Sequence, residues 1–402
     1  MKLFMNLFIK FNNIFLYVSF ACLFFLILFK SIYTPIGYDE AYTYLNYIKT
    51  NKIFSTGVAN NHFLATLFSY LFSLISNQLL SLRLPNIFFA GGYFFIASCI
   101  AYKSKFPLLI FSILVASPYM LEFFSLFRGY GLACFFIIVS MYIFYFREKN
   151  NFTFLKTIIL LSFATYAFYP IIIILFTFIL LHSINEYKNN EDNILFALKF
   201  CSLLVVYPVY ALYSATLPGS PLTGYEGELL AFIKGYLGFL FLLGPYDTSF
   251  SRYLYLLLLI PLFFPIYLSK RSKKIILLFS ISLLIYFLVT YLAKKPMPYG
   301  RIMVPFLCLF LIAICSIWID ILNSKISNYF IPIGCILSIL IIVNIFINYK
   351  FNIAYDYFST WQTENDVISM YKKNDCLNKN EINPIRIFYL ESNLINIKYC
   401  SK

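Results

Sequence analysis

Ile14-Phe-Leu-Tyr-Val-Ser-Phe-Ala-Cys-Leu-Phe-Phe-Leu-Ile-Leu-Phe29 runs without a charged residue, inside an apolar stretch covering 13–33. Crossing the hydrocarbon of a bilayer takes about 20 helical residues. Lipid offers the backbone no hydrogen-bond partners, so such a stretch must be a helix or a strand of a closed barrel. It shows no period-two alternation, which leaves the helix. Stretches of the same kind recur at 85–102, 106–118, 129–146, 155–169, 170–184, 194–217, 252–269, 275–293, 302–320 and 329–347. The expected fold is therefore all-α, a polytopic transmembrane bundle of about 11 spans.

Composition agrees across the chain. Of 402 residues, 61% are hydrophobic and only 12% charged, about half the charged share of a soluble domain. The formal charge of +14 would suit nucleic acid if it were clustered on a face. Instead the basic residues sit in short linkers between apolar runs, where they anchor cytoplasmic ends and meet anionic headgroups. Membrane lipid, and no nucleic acid, is the partner this pattern implies. Lys2 and Lys10 before the first run resemble a signal peptide, but Phe29-Lys30-Ser31-Ile32-Tyr33 offers no small-x-small cleavage site, so the run is expected to be retained. The chain has no evident internal repeat, unlike transporters assembled from duplicated halves.

The linkers predict an orientation. Lys103/Lys105, Arg147/Lys149/Lys156 and Lys270-Arg271-Ser272-Lys273-Lys274 follow the second, fourth and eighth runs. The positive-inside rule places them in the cytoplasm with the N-terminus. An odd number of spans then puts the polar segment 348–402 outside, as a small cap on the transmembrane domain 1–347. Asn61 to Ser76 and Leu229 to Gly244 are borderline in length, and counting either one alone would carry Lys270–Lys274 to the outside. Both are read as interfacial or re-entrant helices, within outer loops 34–84 and 218–251. Seven of the nine cysteines lie in apolar runs as packing residues. Cys376 and Cys400 share the tail, where an oxidising compartment would permit a disulfide.

Seventeen acidic residues serve the whole chain. Asp39, Glu40, Glu122, Glu226, Glu228 and Asp247 fall at the outer membrane surface, where a carboxylate is costly unless paired or wet. Asp39-Glu40 follows Gly37-Tyr38; the pair reads either as candidate catalytic acids or as acids favoured at a helix start. Asn61 and His62 open an apolar helix, as a cap and a hydrogen-bonded interfacial histidine or as substrate-site residues. No His or Cys lies at ligand spacing from His62, so no metal is implied, although a divalent ion is not excluded by residue type. Arg83 is a snorkelling arginine or a site residue. Glu122 and Arg128 flank an outer turn ending in Gly129-Tyr130-Gly131, as an ion pair between spans or as ligand contacts. Lys294-Lys295-Pro-Met-Pro-Tyr299-Gly300-Arg301 places three cations on the outer side, against the positive-inside trend, and calls for an anion such as a headgroup or a substrate phosphate.

Acids and cations gathered on outer loops suit transfer from a lipid-linked phosphosugar. An acceptor hydroxyl needs a base within hydrogen-bond reach, and a departing phosphate needs positive charge where its negative charge develops. Five motifs, Gly37-Tyr38-Asp39-Glu40-Ala41, Asn61-His62-Phe63-Leu64, Leu82-Arg83-Leu84-Pro85-Asn86, Phe127-Arg128-Gly129-Tyr130-Gly131-Leu132 and Tyr299-Gly300-Arg301, give the chain a resemblance over residues 1 to about 320. It resembles the GT-C-type membrane glycosyltransferases that use polyprenyl-phosphate sugars, the bacterial relatives of protein O-mannosyltransferases and lipid A aminoarabinose transferases.

The resemblance implies that Asp39 is the catalytic base, with Glu40 beside it. Arg128, Lys294, Lys295 and Arg301 would bind the carrier phosphate, and Glu122 would orient sugar or acceptor. Asn61, His62, Arg83 and Tyr130 would line the substrate site, although the family's His-Pro-(Pro)-Leu stands here as His62-Phe63-Leu64. One base and an in-line attack would invert the anomeric carbon, and a leaving phosphate held by Arg and Lys requires no cofactor of necessity; the expected setting is a bacterial cytoplasmic membrane with the active site extracytoplasmic, and sugar and acceptor (glycan, lipid or protein) stay open. The alternative is a transporter or flippase of lipid-linked sugars, which should carry its polar groups inside mid-span helices.

Overall fold

The structure is a computed structural model. It describes residues 2–54, 62–76, 78–148, 150, 152–187, 195, 198–199, 201–206, 208–210, 257–292, 300–349, 367–369 and 384–393. The described residues are predominantly helical, with no strand among them. In chain order the helices used below are α1 (Lys2–Tyr33), α2 (Tyr38–Thr43), α3 (Phe63–Ser73), α4 (Leu79–Ala101), α5 (Pro107–Leu114), α6 (Pro118–Glu122), α7 (Gly129–Met141), α8 (Thr153–Ala167), α9 (Ile172–Tyr187), α10 (Lys270–Leu292), α11 (Val304–Asn323), α12 (Ser327–Asn348) and α13 (Pro384–Ser392). Single π-helical turns, Tyr44–Ile48 and Tyr142–Phe146, extend α2 and α7.

Among the described residues six helices are long and apolar enough to cross a membrane: Asn12–Tyr33, Leu79–Ala101, Gly129–Phe146, Lys270–Tyr291, Val304–Asn323 and Tyr329–Asn348. The expected number is about 11, and several of the other expected spans take a different form where the structure describes them. Within 106–118 the helix α5 covers 8 residues, about 12 Å of rise, before Ser117-Pro118 restarts the chain as α6. The stretches 155–169 and 170–184 become α8 and α9, of 15 and 16 residues, separated by a short turn at Tyr169-Pro170-Ile171. In the described part of 252–269 the α-helical conformation of Leu257 and Leu258 gives way to two 3-10 turns, Ile260–Phe263 and Pro265–Tyr267, because Pro261 and Pro265 lack the N–H that would continue an α-helical ladder. Residues 211–217 of the run 194–217 lie outside the described residues, as do Leu229–Gly244 and the loop 218–251.

Within Asn61–Ser76 the helix is α3, 11 residues long and thus about 16 Å, too short to cross. It lies along the first half of α4, with Phe68 against Phe89 and Phe72 against Phe88, and Ser69 donates to the Leu82 carbonyl at 2.8 Å.

α11 is the central helix, buried along nearly its whole length; its Trp318 donates from Nε1 to the Leu258 carbonyl at 3.0 Å. Several hydroxyls inside the apolar helices are satisfied within their own helix. Ser31, Ser98, Thr157, Ser162, Thr165 and Ser338 each donate to the carbonyl four residues earlier, the local solution for a polar group where water is absent.

Contacts between linkers gather the helix ends into two groups. At one end Asn323 donates to the Lys103 carbonyl at 2.8 Å and accepts from the Lys105 N–H at 3.2 Å. Nearby, Asp320 accepts from Arg271 at 3.1 Å and from the Ser269 N–H at 2.8 Å. The opposite end collects the end of α1, the start of α4, the loop 123–128, the end of α8 and the end of α12, through the contacts described next.

Candidate functional site

The site is built on the turn between α1 and α2. A helix ends with carbonyls that have no intrahelical donor, and Arg83 of α4 supplies donors there. Its Nη1 reaches the Ser31 carbonyl at 2.9 Å and the Thr34 carbonyl at 2.6 Å, and its Nη2 the Pro35 carbonyl at 3.0 Å. A cation at a helix C-terminus also meets the negative end of the macrodipole. The same guanidinium grips Glu40, Nε to Oε1 at 3.0 Å and Nη2 to Oε2 at 2.6 Å.

Glu40 is the third residue of α2, and its Oε2 accepts from the Gly37 N–H at 3.0 Å, the carboxylate half of a capping box. Its Oε1 accepts in addition from the Phe127 N–H at 2.9 Å. Both carboxylate oxygens are thus occupied, and neither side chain of the Arg83–Glu40 pair touches solvent. Glu40 therefore serves as a scaffold group that locks three segments together.

One turn along α4, on the same face, Asn86 performs the matching task for the loop 123–128. Its amide donates to the Arg128 carbonyl at 2.9 Å, the Phe123 carbonyl at 3.3 Å and the Leu126 carbonyl. Arg83 and Asn86 thereby fix the two segments that carry Asp39 and Arg128. Those two residues meet: Arg128 Nη2 lies 3.2 Å from Asp39 Oδ2, with 11% of the Asp39 side chain exposed against 1% of Arg128.

A third pair sits beside them. Lys30, in the last turn of α1, has its Nζ 3.6 Å from Glu122 Oε2, and both side chains are fully buried. The ammonium also lies over the Tyr349 ring, 4.6 Å from its centre, a cation–π placement. Burial, reinforced by the nearby Glu122 carboxylate, pushes the Tyr349 phenol well above its ordinary range. The three pairs balance, cation for carboxylate, which makes so much buried charge tolerable. Only Asp39 among the three acids keeps a measurable opening to solvent.

His62 braces the far side of the loop. Its Nδ1 is 3.2 Å from the Ala167 carbonyl, which requires the proton on Nδ1, and its ring packs 4.8 Å from Tyr130 and 5.8 Å from Phe168. Gly129 lies in this junction; a Cβ there would run into the Ala167 carbonyl and come within 2.8 Å of His62 Nδ1. Tyr130 sits among Phe123, Phe168 and His62, with Arg128 5.8 Å above its ring.

The structure thus brings Asp39, Glu40, Arg83, Glu122, Arg128, His62 and Tyr130 to one end of the bundle. Arg301 lies in the 3-10 turn Gly300–Met303 at the start of α11. Asn61, Lys294, Lys295, Glu226, Glu228, Asp247, Cys376 and Cys400 lie outside the described residues. Among the described residues no group of three or more His, Cys, Asp or Glu could hold a metal ion.

Lys30, Asn86 and Tyr349 were not singled out as site residues by the sequence. For Lys30 a signal was available: it is a cation at the end of the first run, as Lys294 and Lys295 are at the end of the ninth, which the positive-inside rule leaves without a reason on the expected topology. Comparison of the chain with models of protein families, with curated proteins and with solved structures finds no match in any of the three.

Proposed function

We propose that this chain is an inverting glycosyltransferase that takes a monosaccharide from a polyprenyl-phosphate carrier at the extracytoplasmic face of a bacterial cytoplasmic membrane. The observation that carries the reading is Asp39: it is the solvent-reaching carboxylate of a rigid, charge-balanced cluster, held 3.2 Å from the Arg128 guanidinium. A base in the first turn of α2 and an arginine at the end of the loop 123–128 supply the two charges that the transfer needs.

In the reaction, the acceptor oxygen attacks the anomeric carbon as the carbon–oxygen bond to phosphate breaks. The acceptor proton passes to the Asp39 carboxylate, and the bonding electron pair leaves with the polyprenyl phosphate. Arg128, joined by Lys294, Lys295 and Arg301, stabilises the phosphate charge as it grows. A single displacement opposite the leaving group inverts the anomeric carbon. Glu40, Arg83 and Asn86 contribute by holding the reacting groups in place.

The test is turnover by the purified protein in liposomes, supplied with polyprenyl-phosphate sugars and candidate acceptors. Asp39→Asn is expected to lose at least about 100-fold in kcat. Equal turnover would remove Asp39 from the mechanism, and movement of the lipid-linked sugar across the bilayer without loss of the sugar would favour a flippase instead.

A further inference from the structure

The segment carrying Asp39 is held at a fourth point that belongs to neither α4 nor the loop 123–128. Of the polar backbone groups in the turn before Asp39, the Thr34 and Pro35 carbonyls go to Arg83 and the Gly37 N–H to Glu40. The N–H of Ile36, between them, donates to the phenol oxygen of Tyr389 at 2.9 Å, across 353 residues of chain. Ile36 and Tyr389 are both buried, so water is poorly placed to take over that bond.

The apolar contacts around this bond follow the same plan. Ile36, Ala41, Ile48, Leu82 and Phe127 form a small cluster, separate from the main core, with Val367 and with Ile385, Phe388, Tyr389 and Leu390 from α13. Phe388 meets Tyr44 edge to face at 5.0 Å. The partners of α13 are sequence neighbours of the ion-paired residues: Ile36 and Ala41 flank Asp39 and Glu40, Leu82 precedes Arg83, and Phe127 precedes Arg128. Val367 and α13 cover the back of the very residues that aim the charged groups.

We infer that the C-terminal segment is a working part of the site and that Tyr389 is a positioning residue for Asp39, acting through the Ile36 N–H. This deepens the glycosyltransferase reading and rests on it for its effect on rate; its structural content stands independently. A phenol on a packed helix holds one backbone amide without adding charge near the carboxylate. Small displacements of a reacting group weaken catalysis steeply, so the bond should register in kcat rather than in substrate binding.

The test compares wild-type full-length protein with Tyr389→Phe, which keeps the ring and deletes the hydroxyl, and with Phe388→Leu, which trims the packing and keeps the bond. Hydrogen exchange across residues 34–43 should accelerate about fivefold or more in Tyr389→Phe and stay at the wild-type rate in Phe388→Leu. In the transfer assay Tyr389→Phe should lose about tenfold in kcat with KM within twofold of wild type. Unchanged exchange in Tyr389→Phe, or equal acceleration in the two variants, overturns the inference. If Asp39→Asn turns over normally while the exchange result holds, the transferase reading fails and the positioning contact survives.

Discussion

Arg83 and Glu40 meet face to face through two parallel bonds, Nε to Oε1 at 3.0 Å and Nη2 to Oε2 at 2.6 Å, with both side chains fully buried. Arginine can do this because its donors form a rigid fork matched to a carboxylate, while three further acceptors on the same guanidinium are backbone carbonyls at the end of α1. Removing one member leaves the other charged, buried and alone. Arg83→Ala should therefore cost about 3–5 kcal/mol of stability, read as a drop in thermal midpoint in detergent. Arg83→Lys should recover only part of the loss, because an ammonium cannot span both carboxylate oxygens and the carbonyls; full recovery would refute the fork.

Asp39 and Glu40 are adjacent in sequence and differ in kind. Asp39→Asn should abolish most turnover at a smaller cost in thermal midpoint than Glu40→Gln, since 11% of the Asp39 side chain is open to solvent while Glu40 is fully buried. Glu40→Gln should do the reverse first, lowering stability by about 3–5 kcal/mol through the loss of charge opposite Arg83. Paired unfolding and turnover measurements decide this, and similar stability losses in the two variants would contradict the division of roles.

The Lys30–Glu122 pair offers a cycle. Each single replacement, Lys30→Met or Glu122→Leu, should destabilise by about 3–5 kcal/mol by stranding its partner, whereas Lys30→Met with Glu122→Leu should recover most of that stability. Additive losses in the double variant would show that the two groups do not depend on each other at 3.6 Å.

Gly129 carries a steric prediction. Gly129→Ala brings a methyl against a backbone carbonyl, which cannot rotate away as a side chain can. The chain must shift Arg128 or the end of α8, at about 1–3 kcal/mol, and turnover should fall with it. A variant of wild-type stability and activity would mean that the loop 123–129 and Ala167 are not in contact.

Tyr349 gives a signature at alkaline pH. Its phenol is raised above the ordinary value in the folded protein, so above pH about 10 the unfolded chain has lost a proton that the folded chain keeps. Its contribution to stability is complete below that pH and is lost as pH rises further, by about 1.4 kcal/mol per unit. Tyr349→Phe should flatten the decline in stability above pH 10. An unchanged slope would place the phenol in contact with water.

The helical character of this chain was legible in residues such as 14–29, 302–320 and 329–347, because a long apolar run has one backbone solution in lipid. The number of long helices was not. Pro118, Pro170, Pro261 and Pro265 divide apolar runs whose composition alone is uniform, and whether a proline bends a helix or ends it depends on what packs beside it. Residue types at the site were equally legible: acids and cations placed beside hydrocarbon stand out by cost.

Sequence alone determined that Asp39, Glu40, Arg83, Glu122 and Arg128 were unusual, since charge at a lipid edge is expensive wherever the chain goes. Only the tertiary structure decided the partners: Glu40 with Arg83, Asp39 with Arg128, Glu122 with a lysine at the end of α1, and the Ile36 amide with a tyrosine 353 residues away. Pairing is a matter of distance and burial between segments remote in sequence, and those quantities come into being only when the helices pack.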